Sequence, residues 1–174
     1  MEKRTDKKRT FFRILLTVLC VCVYAFIFYN SAQTEAASAS QSGAVTDAVQ
    51  DVAGVVAPES SVATATGKAY EELHSIIRTI AHFAEFALLG ALLIWCCFSY
   101  TDRAFFFIIP LAMILVTPLA DETIQLFASG RVADVKDVLT DIAGGYLGAL
   151  FATFTIWIGL LIKNAKRGIH YKRR

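Results

Sequence analysis

Long apolar runs are the feature that most constrains the fold of this chain. Four stretches, at 11–29, 78–98, 104–120 and 138–162, are dominated by apolar residues. A helix needs about 20 such residues to cross the hydrocarbon core of a bilayer. Charged residues make up only 18% of the chain, whereas a soluble domain carries about 25%. The sequence therefore predicts an all-α membrane protein with four transmembrane helices.

Basic residues are concentrated at the two ends of the chain. The tails 1–10 and 163–174, together with Arg13, hold twelve of the seventeen lysines and arginines. Basic residues beside apolar spans mark the cytoplasmic side of a membrane protein, so we expect both termini in the cytoplasm, where Arg103 joins them. Residues 30–77 then form one long external loop. Basic tails can also bind nucleic acid, but their position beside apolar spans favours a topology signal and no nucleic-acid partner.

The first span and the loop after it each admit two interpretations. A basic head, an apolar middle and the small residues 37–39 also resemble a secretory signal peptide, but signal-peptide apolar regions are usually about 7–15 residues long. The longer run at 11–29 favours an uncleaved anchor. Within the loop, four valines recur at helical spacing, namely Val45, Val49, Val52 and Val56. They predict either an amphipathic helix on the membrane surface or a plain linker.

Ionisable residues in and beside the apolar runs are the candidates for a functional site. Such groups are costly near hydrocarbon and usually mark a site or are buried with partners. Arg78, His82 and Glu85 follow the spacing i, i+4, i+7 and share one face of the second span. We expect them to meet polar residues from the outer segment 121–137 and from the start of the fourth span.

The outer polar segment and the fourth span supply the other members of this constellation. Asp121 or Glu122 is spaced to pair with Gln125 on a helical turn, and a turn at 129–130 would place Arg131 beside the fourth helix. The sequence places three carboxylates on one face at the start of that helix, namely Asp134, Asp137 and Asp141. Gly144 and Gly148 form a small-xxx-small pattern that predicts close packing against another helix.

Three explanations of these charges remain open. The acids and arginines could simply pair and fix the bundle. Alternatively, excess acids could bind Mg²⁺ or Ca²⁺, which together with the arginines would hold a phosphate-bearing ligand. In this reading the metal candidates are Asp121, Asp134, Asp137 and Asp141, and the ligand-binding candidates are Arg78, His82, Glu122, Gln125 and Arg131. Third, His82 or Glu85 could perform acid–base catalysis.

Sequence motifs do not establish an enzyme. The four cysteines lie in apolar runs without zinc-motif or disulfide spacing. The chain also lacks a zinc-protease helix motif, a nucleophile elbow and a Gly-rich phosphate loop. The sequence therefore leans towards a binding protein, with membrane lipids as the expected partners and protein partners left open.

Three motifs resemble the VanZ-like family of bacterial membrane proteins. They are the run 28–33, the pattern Arg78-x-x-x-His82-x-x-Glu85-Phe86, and the run Asp121-Glu122-x-x-Gln125 … Gly130-Arg131-x-x-Asp134-x-x-Asp137-x-x-x-Asp141-x-x-Gly144. Members often have Pro at the position of Ser129 and Asn at the position of Asp141. The resemblance covers nearly the whole chain, with a VanZ-like four-helix domain expected at 11–162.

The resemblance implies a small multi-pass protein of the bacterial cell membrane. The family's namesake is associated with reduced sensitivity to the glycopeptide antibiotic teicoplanin. From the residues and the resemblance together, we expect an outward-facing site that binds an envelope lipid head group or a lipid-linked cell-wall precursor. The alternatives are a metal-assisted hydrolase or transferase acting on lipid phosphates, and an accessory protein whose charges only pair.

Overall fold

The fold is a bundle of long helices. A computed structural model describes the backbone of residues 2–132 and 134–172 and the side chains of 7–132 and 134–166. Within these residues the structure has helices and no strand. Its elements are α1 (Glu2–Ser31), α2 (Glu35–Val56), α3 (Lys68–Tyr100), one 3₁₀ turn (Ala104–Phe107), α4 (Ile108–Gln125) and α5 (Val135–Lys172). Basic residues at 3, 4 and 167–174, which contribute to the topology prediction, lie outside the described side chains.

Four of these helices are long and apolar enough to cross a membrane. They are the segments Lys7–Ser31, Lys68–Tyr100, Ala104–Gln125 and Val135–Lys166. The predicted class, an all-α membrane protein with four spans, is therefore confirmed. Large apolar side chains cover the outside of these helices, as with Phe105 and Phe154. Such an apolar surface is costly in water and suits a lipid environment.

The helices extend beyond the apolar runs that predict them. The 33-residue α3 is about 50 Å long at 1.5 Å per residue, while the hydrocarbon core is about 30 Å thick. Its first turns therefore continue past the apolar part of the bundle. Helix α4 runs through Pro118 to Gln125, beyond the predicted end of the third span at 120. Asp121 and Gln125 thus belong to α4 rather than to a separate outer segment.

A second helix occupies the loop between the first two spans. Thr34 caps α2 by accepting a hydrogen bond from the amide of Ala37, so the helical alternative for this loop holds over Glu35–Val56. Helix α2 is anchored to α3 by a hydrogen bond between Ser42 and His74, at 2.6 Å, and by one that the Tyr70 hydroxyl donates to Asp47, at 2.7 Å. Its valines are largely exposed.

Close contact between α3 and α5 forms the centre of the bundle. A Cβ added at Gly144 would overlap the carbonyl of Phe83, and one added at Gly148 would overlap the carbonyl of Ala87. Gly90 of α3 faces the backbone of Gly145 in the same way. The glycines therefore let two backbones touch where side chains would hold them apart. This packing fixes which residues of α3 and α5 oppose each other nearer the charged end.

Candidate functional site

One end of the bundle gathers buried polar side chains from four helices. Helices α1 and α4 end there, α5 begins there, and α3 passes through. The buried members are Ser31, Asp121, Gln125 and Asp141, each no more than 2% exposed. His82 lies beside them, with a side chain that is 20% exposed. Burying so many polar groups is costly unless each finds a partner, so the contacts of each one matter.

A chain of hydrogen bonds runs from α1 through α4 to Arg131. The Ser31 hydroxyl donates to Asp121 Oδ1, and Gln125 Nε2 donates to Asp121 Oδ2 at 2.8 Å. Arg131 Nη1 then donates to Gln125 Oε1 at 2.9 Å, and its Nη2 donates to the Asn30 carbonyl at 3.4 Å. Both Asp121 and Glu122 are spaced to reach Gln125, and the hydrogen bond is made by Asp121.

Arg131 keeps a donor that this chain of bonds does not use. Its Nε is buried and has no hydrogen-bond partner among the residues that the structure describes. Burial lowers the pKa of Arg131, and the like charge of Arg78 nearby lowers this pKa further. Two guanidinium groups held close together, one with a free buried donor, form a place where an anion would be stabilised.

His82 and Asp141 face each other between α3 and α5. Their nearest atoms, Nδ1 and Oδ1, are 3.9 Å apart, which is too far for a hydrogen bond. Both atoms are buried, and neither has a hydrogen-bond partner within residues 7–132 and 134–166. Together with Asp121, these residues offer three ligand atoms that lie within 4.8 Å of one another.

The remaining predicted acids have a different arrangement. Asp134 precedes α5, and its carboxylate accepts a hydrogen bond from the amide of Lys136 at 2.8 Å. Its own amide donates to Glu122 Oε1 at 2.5 Å. These two acids therefore hold the connection between α4 and α5 and cap α5. Asp137 is half-buried and lines a cavity, while Asp141 one turn further on is buried.

Gly130 shapes the turn that presents Arg131. Its φ of 85° lies in the left-handed region, which glycine enters without the steric cost that other residues incur. An added Cβ would also lie 3.1 Å from Glu35 Oε2. The Glu35 amide donates to the Ser129 carbonyl at 3.1 Å, so this turn is tied to the start of α2.

Two adjoining cavities open at this end of the bundle. One, of about 290 Å³, is mainly polar and is lined by Glu35, Ser75, Arg78, Thr79, His82, Gly130, Arg131, Val132, Asp134 and Asp137. The other, of about 370 Å³, is mainly apolar and includes Phe26, Tyr29, Val45 and Glu85 in its lining. Arg78, His82 and Arg131 line both cavities. A ligand with a polar head and an apolar chain would fit such a pair.

A larger cavity of about 1110 Å³ lies at the opposite end of the bundle. Its charged lining residues, Arg9, Asp102 and Lys163, are all exposed. Exposed charges of this kind are normal at the end of a membrane helix. We therefore place the candidate site at the other end, where charged groups are buried.

Charge pairing does not account for the arginines of the site. Where side chains are described, the contacts within 4.0 Å between a basic side chain and a carboxylate are Lys68–Glu72 and His82–Asp141, and the second is an ion pair only if His82 is protonated. Arg131 bonds a neutral amide and a carbonyl instead of a carboxylate. The explanation in which acids and arginines only neutralise each other needs contacts that these residues do not make.

Sequence reasoning did not assign several of the residues that build this site. Ser31 carries no charge, and its role follows from its position at the end of α1 beside Asp121. Asn30 contributes a backbone carbonyl, which residue type cannot predict. Gly90 could have been found as a small residue on the same span as His82, because close packing requires small residues on both helices.

The fold and the site together define a four-span membrane protein with a buried polar centre at one end of its bundle. The sequence model of the VanZ/LLP1 family matches residues 16–158, which include α2, α3 and α4 completely, parts of α1 and α5, and all the site residues described above. The chain belongs to the VanZ/LLP1 family, as its motifs predict. No curated protein and no solved structure matched the chain.

Proposed function

We propose that this protein binds the phosphate-bearing head group of an envelope lipid or a lipid-linked cell-wall precursor. The observation that carries the proposal is that Arg78 and Arg131 both line two adjoining cavities, one polar and one apolar. Arginine presents donors in a fork that matches two phosphate oxygens. The buried Nε of Arg131 has no partner in the part of the chain that the structure describes and would be satisfied by such an oxygen.

The apolar cavity suits the chain of a lipid. Phe26, Tyr29 and Val45 line it, on α1 and α2. A chain lying there would exchange water or bulk lipid for protein contacts while the head group stays beside the arginines. A free phosphate would fill only the polar cavity, so the proposal favours a lipid over a soluble anion.

The acids around the polar cavity restrict the head group further. Glu35, Asp134 and Asp137 line it with the two arginines, so a phosphate alone would also meet negative charge. Hydroxyl or amino groups on the head group would donate to these carboxylates, and a Mg²⁺ or Ca²⁺ ion would bridge them to the phosphate. A head group that is a sugar phosphate or an aminoalcohol phosphate has a phosphate for the arginines and hydroxyl or amino donors for the carboxylates.

The proposal includes the orientation of the site. Thirteen lysines and arginines would lie in the cytoplasm and four outside if both termini are cytoplasmic. This distribution follows the positive-inside rule and puts the polar end of the bundle at the outer face of the bacterial cell membrane. An outward site is where envelope precursors and glycopeptide antibiotics are accessible.

Native mass spectrometry of the purified protein tests the proposal. Protein reconstituted with phosphatidylglycerol, phosphatidylethanolamine or a polyprenyl phosphate should retain one lipid selectively. Arg78→Gln and Arg131→Gln should lose that lipid, and Arg103→Gln, at an exposed residue of the opposite end, should keep it. Equal retention by all four proteins, with equal thermal stability, would exclude the site.

A cellular assay tests the link to the antibiotic response. Cells expressing the wild type should tolerate more teicoplanin than cells expressing Arg131→Gln at the same membrane abundance. Equal teicoplanin susceptibility of the two strains would show that the Arg131 site has no role in the glycopeptide response.

A second candidate function is hydrolysis or transfer at a lipid phosphate. It is favoured by His82 and Asp141, which face each other at 3.9 Å at the edge of the polar cavity. His82 or Glu85 would then serve as acid or base. Turnover of a radiolabelled polyprenyl phosphate that is abolished by His82→Gln would establish this enzyme, and retention without turnover would establish a binding protein.

A further inference from the structure

Two buried carboxylates lie next to each other at the polar end of the bundle, and no described lysine or arginine pairs with them. Asp121 is 1% exposed and Asp141 is 2% exposed. None of the described lysines or arginines lies within 4.0 Å of either. Burying one carboxylate without a compensating charge is costly, and buried charges are normally paired or bound to metals. We therefore expect a positively charged group to bind between the two carboxylates.

The position of His82 indicates that this group is a metal ion. Its Nδ1 and Asp141 Oδ1 are both buried, lie 3.9 Å apart, and have no hydrogen-bond partner among the described residues. Two ligand atoms at about 2.1 Å from one tetrahedral ion lie about 3.4 Å apart, which is close to the 3.9 Å between these atoms. One oxygen of Asp121 lies within 4.8 Å of a ring nitrogen of His82 and of a carboxylate oxygen of Asp141.

We propose that His82, Asp121 and Asp141 bind a divalent transition-metal ion of the Zn²⁺ class. Two carboxylates neutralise the charge of such an ion, which removes the cost of burying them. Imidazole nitrogen suits zinc and its neighbours, whereas Mg²⁺ and Ca²⁺ prefer oxygen ligands. Three protein ligands leave a coordination position for water or a ligand oxygen.

Hydrogen bonds already orient one of these ligands. Ser31 and Gln125 donate to the two oxygens of Asp121, and each oxygen keeps a lone pair for a metal. Such outer contacts fix a ligand's direction and tune the affinity of a metal site. Gln125 in turn accepts from Arg131, so the metal would be linked to the cavity lined by the arginines.

This metal set differs from the acids that sequence spacing favours. Asp134 is engaged at the start of α5, and Asp137 faces the polar cavity. The proposed ion lies deeper, on residues from three different helices that only the folded bundle brings together. It does not depend on lipid binding, since its ligands are distinct from Arg78 and Arg131.

Metal content of the full chain, purified without a polyhistidine tag, tests the proposal. The protein is treated with a chelator, incubated with Zn²⁺ or Co²⁺, and freed of excess metal before elemental analysis. The wild type should hold about one ion per chain, and Co²⁺ should give visible absorption bands. His82→Gln and Asp141→Asn should weaken binding more than about ten-fold, since ligand changes exceed changes to outer contacts.

Matched controls distinguish this site from incidental binding. His74→Gln changes another histidine of α3, bonded to Ser42, and Asp137→Asn changes an acid one turn before Asp141. Both should retain the ion. Arg78→Gln should also retain it while losing lipid, which separates failure of this proposal from failure of the lipid site.

Three results would overturn the metal site. The first is a wild-type protein that holds less than about one-tenth of an ion per chain. The second is metal binding that is unchanged in His82→Gln and Asp141→Asn. The third is a loss of metal in the His74→Gln and Asp137→Asn controls that equals the loss in the ligand variants. If the ligand variants do not fold, X-ray absorption of the Zn²⁺-loaded wild type decides the question. A first shell without imidazole nitrogen would exclude His82 and with it the proposal.

Discussion

Replacing Gly144 by alanine should separate the two central helices at the level of the site. An added Cβ would overlap the Phe83 carbonyl, and backbone cannot move aside as a flexible side chain can. Overpacking of this kind costs about 1–3 kcal/mol. In a chain of this size each kcal/mol lowers the unfolding midpoint by about 2–4 °C, so we expect a decrease of about 2–12 °C.

Gly159→Ala supplies the matched control for this measurement. Gly159 lies on the same helix, and an added Cβ there would have no neighbour within 4 Å among the described residues. Alanine is the better helix former by about 0.5–1 kcal/mol, so this variant should be as stable as the wild type or slightly more so. Both are measured by thermal unfolding in the same detergent. Equal midpoints for the two variants would refute the close packing of α3 and α5.

Three further predictions address the site and the topology. Ser31→Ala should lower the free energy of unfolding by about 1.5–3 kcal/mol, because the buried Asp121 carboxylate loses a hydrogen-bond donor. Ser40→Ala, at an exposed position, should leave this free energy unchanged. Equal denaturant midpoints for the two variants would contradict the contact between Ser31 and Asp121. Gly130→Ala, at a φ of 85°, should cost about 1–2 kcal/mol by the same measurement, while Gly54→Ala in α2 should be neutral or stabilising. In a cysteine-free background, a cysteine replacing Val55 should react with an impermeant maleimide on intact cells and one replacing Tyr100 should not; the reverse pattern would invert the proposed orientation.

The apolar runs predict the four spans, and charge periodicity predicts most of the residues that the fold brings together at the candidate site. Arg78, His82 and Glu85 were placed on one face by helical spacing alone, and Gly144 and Gly148 were recognised as packing residues by their separation. These features are local, because each depends on residues within two turns of one helix. The extent of α4 past Pro118 was not predicted, since a membrane helix continues through proline when its neighbours satisfy the freed carbonyl.

The contacts among these residues follow from the packing of the helices. Hydrophobic periodicity, which depends on the chain alone, predicts four apolar spans and a set of acids at one end. It did not determine that Asp141 faces His82, that Asp134 caps α5, or that Asp121 rather than Glu122 is buried. Periodicity specifies the face of a helix but not its partner or its rotation in the bundle. Those depend on how the backbones of Gly90, Gly144 and Gly148 pack, and therefore on contacts between residues distant in the chain.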